Sequence, residues 1–331
     1  MIFCYNKDRY HILKHSYLSE YKIGYGTFNS IKIDDKLSPF RPTAIDSSTY
    51  KTYIKVHQEH LERFRIAHNF RNEEYVQSFN PITKEIIKHK RDVIGYDFNE
   101  EYGIMDTTGT ASGLKGDMLK EKALLELIEK NEAMLIWYSD MGYTVLINEY
   151  VKKLINRIGF DSENLFIFCS SNLCNLTTFL VLIFDEGKIV STGVAIDKDT
   201  KIGLEKALLE AKLAETFYKD TEVSPYKPYT MREHNLTYRF VLELANNKKA
   251  ISFTEDVQDE IVISPWIESI EFAILNTKSY QDYVTIRCFS KELINCVPDK
   301  NSILLSINKK IFKRYSINRD DILAIPPSII L

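Results

Sequence analysis

The residues best suited to chemistry lie in a loop and a helix near the middle of the chain, at 106–132. The loop contains three glycines, and the predicted helix contains Glu126 and Glu129, three residues apart. That spacing puts both carboxylates on one helix face. Proteins hold Mg²⁺ with a few carboxylates plus phosphate oxygens, and a glycine-bearing loop before a helix offers N–H groups to an anion. The combination suggests a nucleotide held through metal ions and not by a Walker loop.

The same pattern occurs on two further predicted helices. Upstream, residues 55–63 are KVHQEHLER, and downstream the letters KALLE at 206–210 repeat those at 122–126. All three helices therefore contain Lys-x-x-x-Glu. Such pairs usually lie on a solvated helix face, because Glu and Lys are good helix formers. Here the carboxylates lie among Ala, Leu and Ile, which argues for a face with a more specific role.

The elements that must position these residues indicate an α+β fold with mixed or antiparallel sheets, and the three carboxylate helices surround one cleft. The run at 178–185 is apolar on both faces and is predicted to be a central strand. It is followed by a turn and a strand at 188–196, which together form a hairpin. The other main predictions are helices at 49–70, 121–137, 142–155, 204–218 and 236–246, and strands at 165–169, 283–289 and 303–307.

Composition excludes several classes of protein. The chain has 331 residues, 44% of them hydrophobic, and a net charge of −3, so it lacks the basic footprint of a nucleic-acid-binding protein. No run approaches the length of a membrane span, and the first residues do not form a signal peptide. The five cysteines are odd in number and scattered, which indicates buried free thiols in the reducing cytoplasm.

Three motifs, in order, resemble the YcaO family, whose members are ATP-dependent enzymes that modify peptide backbones. The segments GTASG at 109–113 and ALLELIEK at 123–130 are similar to that family's central loop and helix. EHLER at 59–63 resembles its first E-x-x-E-R element. GVAID at 193–197 and ALLEA at 207–211 resemble its third, a strand, turn and helix.

The resemblance extends over about residues 45–220 and implies a single YcaO-like domain for 1–331. In that interpretation, residues 1–45 are N-terminal strands and 46–220 form a core that binds ATP and Mg²⁺. Residues 221–331 then form a C-terminal α/β part with a proline-containing tail.

The reaction implied by the resemblance is ATP-dependent cyclodehydration of a ribosomally made precursor peptide. A Cys, Ser or Thr side chain attacks the preceding amide carbonyl, ATP phosphorylates its oxygen, and loss of phosphate leaves a thiazoline or oxazoline. The Mg²⁺ ligands implied are Glu59, Glu62, Glu126, Glu129 and Glu210. The residues expected to bind the nucleotide or balance its charge are Lys55, Arg63, Thr107, Thr108, Ser112 and Lys130.

The chain departs from the family pattern at several positions. Lys55 stands where the family usually has Ser, and Leu114 and Met118 stand where it has Asn and Glu. Lys130 replaces Arg, and an early Gly-Lys-Gly is missing. The carboxylates thus agree with the family better than the nucleotide contacts do, and weak ATP binding is expected.

The C-terminal tail leaves two alternatives open. Relatives often end in a Pro-x-Pro-x-Pro-like segment near the active site, which makes Pro326, Pro327 and Leu331 the candidate catalytic residues here. Adjacent prolines keep the backbone extended and would project the chain end into a cleft. The alternative is an apolar tail packed against the core, which the uncharged segment 325–331 fits equally well.

The resemblance also implies partners. The precursor peptide is expected to need a partner resembling ubiquitin-activating enzymes to recruit it, and the pathway could include a flavin dehydrogenase. No nucleic acid or membrane partner is expected, and a homodimer is one open alternative. Two other functions stay open: ATP-dependent thioamide or amidine formation, and a non-catalytic YcaO-like scaffold subunit.

Overall fold

The computed structural model of this protein describes residues 9–13, 20–27, 32–33, 36–37, 42–68, 75–90, 93–95, 97–114, 116–160, 164–221, 226, 228–275 and 283–330. Within these ranges, none of the helices combines the length and the apolar character needed to cross a membrane.

The described residues alternate between short strands and helices, which confirms the α+β prediction. Up to the middle of the chain, the elements are β1 (Tyr10–Ile12), β2 (Lys22–Gly26), β3 (Lys32–Ile33), β4 (Lys36–Leu37), β5 (Thr43–Asp46), α1 (Thr49–His68), β6 (Tyr75–Asn80), β7 (Glu85–Lys90), β8 (Asp97–Asn99), β9 (Gly103–Met105), β10 (Thr110–Gly113) and α2 (Gly116–Tyr138). The remaining elements are β11 (Tyr143–Leu146), α3 (Glu149–Ile158), β12 (Asn164–Ser170), β13 (Thr178–Asp185), β14 (Lys188–Ile196), α4 (Thr200–Thr221), α5 (Met231–Asn247), β15 (Ala250–Ser252), β16 (Glu271–Ile274), β17 (Val284–Phe289), α6 (Lys300–Leu305), α7 (Lys310–Arg314) and α8 (Arg319–Ala324).

The chain divides into two compact units. The first contains residues 1–127 and 268–296, and the second contains residues 128–267 and 297–331. The division falls inside α2, so Glu126 belongs to the first unit and Glu129 to the second.

The first unit is built on two antiparallel sheets. One has the strand order β1-β2-β5, and the other has five strands in the order β10-β17-β16-β6-β7. A core cluster includes Ile66 of α1 together with strand residues such as Val76, Ala273 and Phe289. The strand β10, which precedes the carboxylate helix α2, thereby pairs with β17 from much later in the chain.

The second unit has one sheet of five strands in the order β14-β13-β12-β11-β15. The pairs are antiparallel except for the parallel pair of β11 and β15. The strand β13 lies inside this sheet, and its residues from Thr178 to Phe184 are buried, as its two-sided apolar pattern predicts. The predicted hairpin of β13 and β14 is confirmed.

Two local predictions are wrong. The single helix predicted at 142–155 is a strand, β11, followed by α3, because Gly142 has φ 96° and Asn148 caps the new helix by accepting from the Val151 N–H. The strand predicted at 303–307 is helical up to Leu305. Asp299 accepts from the N–H groups of residues 301 and 302 and starts α6 there, so a short apolar run is not diagnostic of a strand.

Candidate functional site

The carboxylate helices share one local geometry. In each case a strand precedes the helix, and a backbone N–H of that strand donates to a helix carboxylate that lies 16 residues later. The three pairs are Thr43 N to Glu59 Oε2 at 2.8 Å, Thr110 N to Glu126 Oε2 at 3.1 Å, and Val194 N to Glu210 Oε2 at 2.8 Å. The sequence repeat therefore corresponds to a repeated structural unit that fixes one carboxylate oxygen in each copy.

Glycine makes this geometry possible in the second and third copies, where it directly precedes the donating residue. A Cβ on Gly193 would lie 2.1 Å from the Ala207 carbonyl oxygen and 2.5 Å from the Ala211 nitrogen, so only glycine lets β14 approach α4 this closely. Gly109 has φ 74°, and a Cβ there would lie 2.2 Å from the Cys288 oxygen. Gly193 thus serves the packing of strand against helix, and Gly109 serves the close approach of the chain before β10 to β17.

In the first unit, two carboxylates of α1 are each held by a backbone N–H and a cation. Glu59 also accepts from the Arg63 guanidinium through Oε1. Glu62 Oε1 accepts from the Ser112 N–H at 2.9 Å and lies 3.3 Å from Lys122 Nζ. Burial raises the pKa of Glu59 to about 7, and Arg63 opposes that shift.

In the second unit, Glu129 and Glu210 influence each other. Lys130 Nζ lies 3.3 Å from Glu129 Oε1, and both side chains are largely buried. Burial raises the pKa of Glu129 to about 7; Lys130 lowers it and Glu210 raises it further. Burial also raises the pKa of Glu210, against the effect of Lys130. The pair is therefore costly to ionise unless a cation lies near it.

The carboxylate oxygens that accept no hydrogen bond decide whether these residues fit Mg²⁺. Among the described residues, no group of three or more His, Cys, Asp or Glu side chains is arranged to hold a metal ion. However, Mg²⁺ needs only one or two protein carboxylates when phosphates and water complete its octahedron. Glu62 Oε2, Glu129 Oε2 and Glu210 Oε1 receive no hydrogen bond from the described part of the chain. Each of these oxygens, taken within its own unit, suits a hard cation that phosphate also binds.

The central loop before β10 is rigidly held. The Thr108 N–H donates to Asp106 Oδ1 at 2.7 Å, and the Arg287 guanidinium, which is fully buried, donates to the Asp106 carbonyl. Thr107 is partly exposed. The Thr108 hydroxyl is buried and has no hydrogen-bond partner among the described residues. These two threonines are therefore still candidates for ligand contacts.

Ser112 is engaged inside the first unit. Its hydroxyl lies 2.6 Å from the Thr285 hydroxyl, which also accepts from Arg65 Nη1 at 2.9 Å, and all three residues are buried. The contact that Ser112 offers to the carboxylate group is its backbone N–H to Glu62. Its side chain joins β10 to β17.

Three of the positions that depart from the family pattern are at least half exposed. Leu114 and Met118 are 56% and 68% exposed, which is unusual for apolar side chains of this size. Lys55 Nζ lies 2.7 Å from Asp46 Oδ2 and also donates to the Ile45 carbonyl. It therefore pairs with the strand that precedes its own helix.

The tail is packed within the second unit. Trp137 Nε1 donates to the Pro326 carbonyl at 3.1 Å, and Pro327 is exposed. Ser328 is buried and its N–H donates to the Tyr138 hydroxyl at 2.9 Å. Leu331, the third predicted catalytic residue, lies outside the described residues.

Two features were missed in the sequence. One is a buried polar network in the first unit, where Glu271 accepts from Ser78 Oγ at 2.6 Å and Tyr102 OH at 2.6 Å and lies 2.9 Å from His89 Nε2. These residues are far apart in sequence and give no local signal. The other is the role of Lys122 and Lys206. The Lys-x-x-x-Glu pattern contains both, but of its three lysines only Lys55 was assigned a function.

The described cysteines are buried, as predicted, and two histidines of α1 are partly buried. His57 Nδ1 lies 2.7 Å from the Tyr10 hydroxyl, and burial lowers the pKa of His60 to about 4. Cys169, Cys174, Cys288 and Cys296 are buried free thiols. Burial raises the pKa of Cys169 and that of Cys174 to about 12, so neither is a ready nucleophile.

Comparison with known proteins identifies the fold of this chain and leaves its chemistry and its site residues untested. No profile of a known protein family and no curated protein matches the sequence. YcaO from Methanopyrus kandleri, solved with AMPPCP and Mg²⁺ bound, is similar with a TM-score of 0.66 at 11% identity, over 86% of each chain. A chain of the Escherichia coli microcin synthetase McbBCD complex with pro-MccB17 bound is similar with a TM-score of 0.64 at 12% identity, over 96% of each chain. The McbBCD complex in a second structure gives the same TM-score and identity, over 99% of this chain and 95% of that chain. The chain therefore has the YcaO fold, which confirms the resemblance that the three motifs suggested.

Proposed function

We propose that this chain binds ATP together with Mg²⁺ and uses the nucleotide to cyclodehydrate Cys, Ser or Thr residues of a precursor peptide to thiazolines or oxazolines. The observation that supports this best is the repeated strand–helix geometry. Three glutamates on a YcaO fold are each oriented by a backbone N–H from the same relative position. An ordinary solvated helix face would need no such preorganisation.

The residues proposed to hold Mg²⁺ are Glu59, Glu62 and Glu126 in the first unit and Glu129 and Glu210 in the second. When bound, Mg²⁺ would neutralise the phosphates of ATP and the charge that develops during phosphoryl transfer. Arg63 and Lys130, which pair with carboxylates of this set, would adjust the charge around it. The raised pKa of Glu59 and of Glu129 supports this proposal, because strongly perturbed acids cluster at functional sites.

The structure of YcaO with AMPPCP and Mg²⁺ shows that this fold accepts a nucleotide with Mg²⁺ in another protein. The McbBCD complex contains a bound pro-MccB17 chain, and that complex supports a peptide substrate and protein partners for this chain as well. We expect a partner resembling ubiquitin-activating enzymes to recruit the precursor, and a flavin dehydrogenase could act on the azolines afterwards. The chain alone should then process a precursor slowly or not at all.

The test is calorimetric titration with ATP, with and without Mg²⁺. Wild type should bind ATP only with Mg²⁺, and Glu126→Gln should lose most of that binding while it keeps the fold, because glutamine preserves size and helix propensity. Asp117→Asn is the matched control, since Asp117 is a fully exposed acid on the same helix. Absence of Mg²⁺-dependent ATP binding in wild type would refute the proposal.

The chemical step is tested with a precursor peptide and the partner protein. Loss of a metal ligand in Glu126→Gln should cost about 3 kcal/mol of transition-state stabilisation, or roughly a hundredfold in rate. Mass spectrometry should show the loss of one water per modified residue. Exchange of oxygen for sulfur without that loss would instead indicate thioamide formation, and loss of water with a new bond to an amine nitrogen, located by fragmentation, would indicate an amidine.

A non-catalytic scaffold is the second candidate, and two observations favour it. Internal cations already pair with Glu59, Glu62 and Glu129, and the exposed Leu114 and Met118 offer no polar contact to a nucleotide. A scaffold would bind its partner proteins equally well with and without ATP. Pull-down of the partner by wild type and by Glu126→Gln, compared with the titrations, separates the two candidates.

A further inference from the structure

A lysine lies four residues before the N–H-bound glutamate in each of the three copies. These residues are Lys55 before Glu59, Lys122 before Glu126, and Lys206 before Glu210. Their side chains are 51%, 58% and 56% exposed, so all three ammonium groups are similarly open to solvent. Residues four apart lie one turn from each other on the same helix face.

In the first and third copies, this lysine is paired with an aspartate at the end of the strand that precedes its helix. Lys55 Nζ lies 2.7 Å from Asp46 Oδ2, and Lys206 Nζ lies 2.5 Å from Asp197 Oδ2. Each aspartate comes three residues after the N–H donor of its copy, which makes the two ion pairs equivalent. Each of these two lysines is thus paired with an aspartate of its own copy.

The middle copy lacks this aspartate. The equivalent position is Gly113, and Lys122 Nζ instead lies 3.3 Å from Glu62 Oε1, on α1. Glu62 is one of the proposed metal ligands, and its side chain is only 14% exposed. Its negative charge, more than any other group, raises the pKa of Lys122. The one lysine of the three without a strand aspartate is thus bound to the carboxylate that a metal ion would need.

We propose that Lys122 binds the polyphosphate of the nucleoside triphosphate, and that it neutralises Glu62 when no metal and nucleotide are bound. Lys122 lies at Glu62 Oε1 and leaves Oε2 to a divalent cation, but two cations on one carboxylate repel each other, so a cation at Glu62 displaces Lys122. The flexible lysine stem lets the half-exposed ammonium group move to the phosphates that arrive with the metal. Lys55 and Lys206 stay with their aspartates. This inference rests on the proposed function.

The experiment measures the affinity for Mg·ATP and for AMP by calorimetry. Lys122→Met should weaken Mg·ATP binding about tenfold, the usual size of a lost charge-assisted contact, and leave AMP binding nearly unchanged. Lys122→Arg should restore most of the affinity for Mg·ATP. Lys120→Met is the matched control, because within the described ranges Lys120 pairs only with the exposed Asp117 on the same helix, and it should bind as wild type does.

A second variant tests the reason for the difference between the copies. Gly113→Asp supplies the aspartate of the other two copies, and its Cβ would meet only the ends of the Leu119 and Gln58 side chains, at 3.0 and 3.5 Å. It should hold Lys122 away from the phosphates and weaken Mg·ATP binding to the level of Lys122→Met. Thermal melts verify that each variant is folded.

The outcomes distinguish failure of the role proposed for Lys122 from failure of the proposed function. If wild type binds Mg·ATP and Lys122→Met binds it equally well, the role of Lys122 is overturned and the proposed function stands. If Lys122→Met weakens ATP and AMP binding by the same factor, Lys122 is structural and the inference is overturned as well. If wild type binds no Mg·ATP, the proposed function fails and this inference fails with it.

Discussion

Replacing Ile329 by alanine should destabilise the second unit by about 3 kcal/mol, because the tail is part of that unit's core. The side chains of Ile329 and Ile330 are 1% and 2% exposed. The Ile329 carbonyl accepts from the Tyr226 hydroxyl at 2.8 Å and from Thr192 Oγ1 at 3.2 Å. Alanine keeps this carbonyl, so the substitution removes apolar packing and leaves the backbone hydrogen bonds in place.

The magnitude follows from the atoms that are lost. Isoleucine to alanine removes three carbon atoms from a buried position, and each is worth about 0.8 kcal/mol in transfer free energy. The cavity left behind adds to this sum, and measured costs for such substitutions are about 2–5 kcal/mol. Partial collapse of a chain end around the vacancy keeps the expected value near the middle of that range.

The assay is urea unfolding followed by tryptophan fluorescence. The chain has two tryptophans, and both Trp137 and Trp266 belong to the second unit, so their emission reports on that unit alone. Pro327→Ala is the control, because Pro327 is exposed and its replacement should change stability by less than about 0.5 kcal/mol.

An unchanged urea midpoint for Ile329→Ala would refute the packing argument. The same two variants also test the catalytic alternative for the tail. Loss of azoline formation in Pro327→Ala, at full stability and with ATP binding retained, would support a role of the tail in the reaction. Normal activity in Pro327→Ala would leave packing as its function.

Three further outcomes are expected. Burial raises the pKa of Glu271, but hydrogen bonds from His89, Ser78 and Tyr102 outweigh this and hold the pKa below its ordinary value. The stability that ionised Glu271 provides is therefore present above its unfolded pKa of about 4.3 and is lost as the pH falls through the lower folded pKa. Glu271→Gln should cost about 3 kcal/mol at pH 7, and that difference from wild type should shrink below about pH 4 in urea unfolding followed by circular dichroism; a constant difference would contradict the argument. Gly193→Ala should lower the melting temperature strongly through its backbone clash and Gly116→Ala, with no atom within 4 Å, should not; equal melting temperatures would show that β14 and α4 do not approach as described. Glu210→Gln should weaken Mg·ATP binding and Glu205→Gln on the same helix should not, which calorimetry would contradict if the two behaved alike.

The main helices and the order of the three carboxylate motifs could be predicted from the amino-acid sequence alone. The spacing of Glu126 and Glu129 is a local property of an α-helix, so their common face follows without any tertiary information. The two-sided apolar run at 178–185 likewise predicts an interior strand, because its length and the turn residues that follow it suit a strand buried on both faces. The fold of the whole chain followed from a resemblance in three short segments, and the metal ligands stay a prediction.

The groups that Glu59, Glu126 and Glu210 contact could be identified only from the tertiary structure. The N–H donor 16 residues earlier depends on how closely each strand packs against its helix. In the third copy that distance is set by backbone contacts at Gly193 that no propensity encodes, and in the second copy Gly109 lets the chain approach Cys288 of β17 closely. The short apolar run at 303–307 became helical because Asp299 capped it, and at this length a cap outweighs a periodicity that is too short to measure. Lys122 is the sharpest example. Lys122 and Lys206 begin the same five-residue sequence, KALLE, but their partners differ. Lys206 pairs with Asp197, whereas the equivalent position before Lys122 is Gly113. The ammonium group of Lys122 therefore pairs with Glu62, which is distant in sequence and close in space.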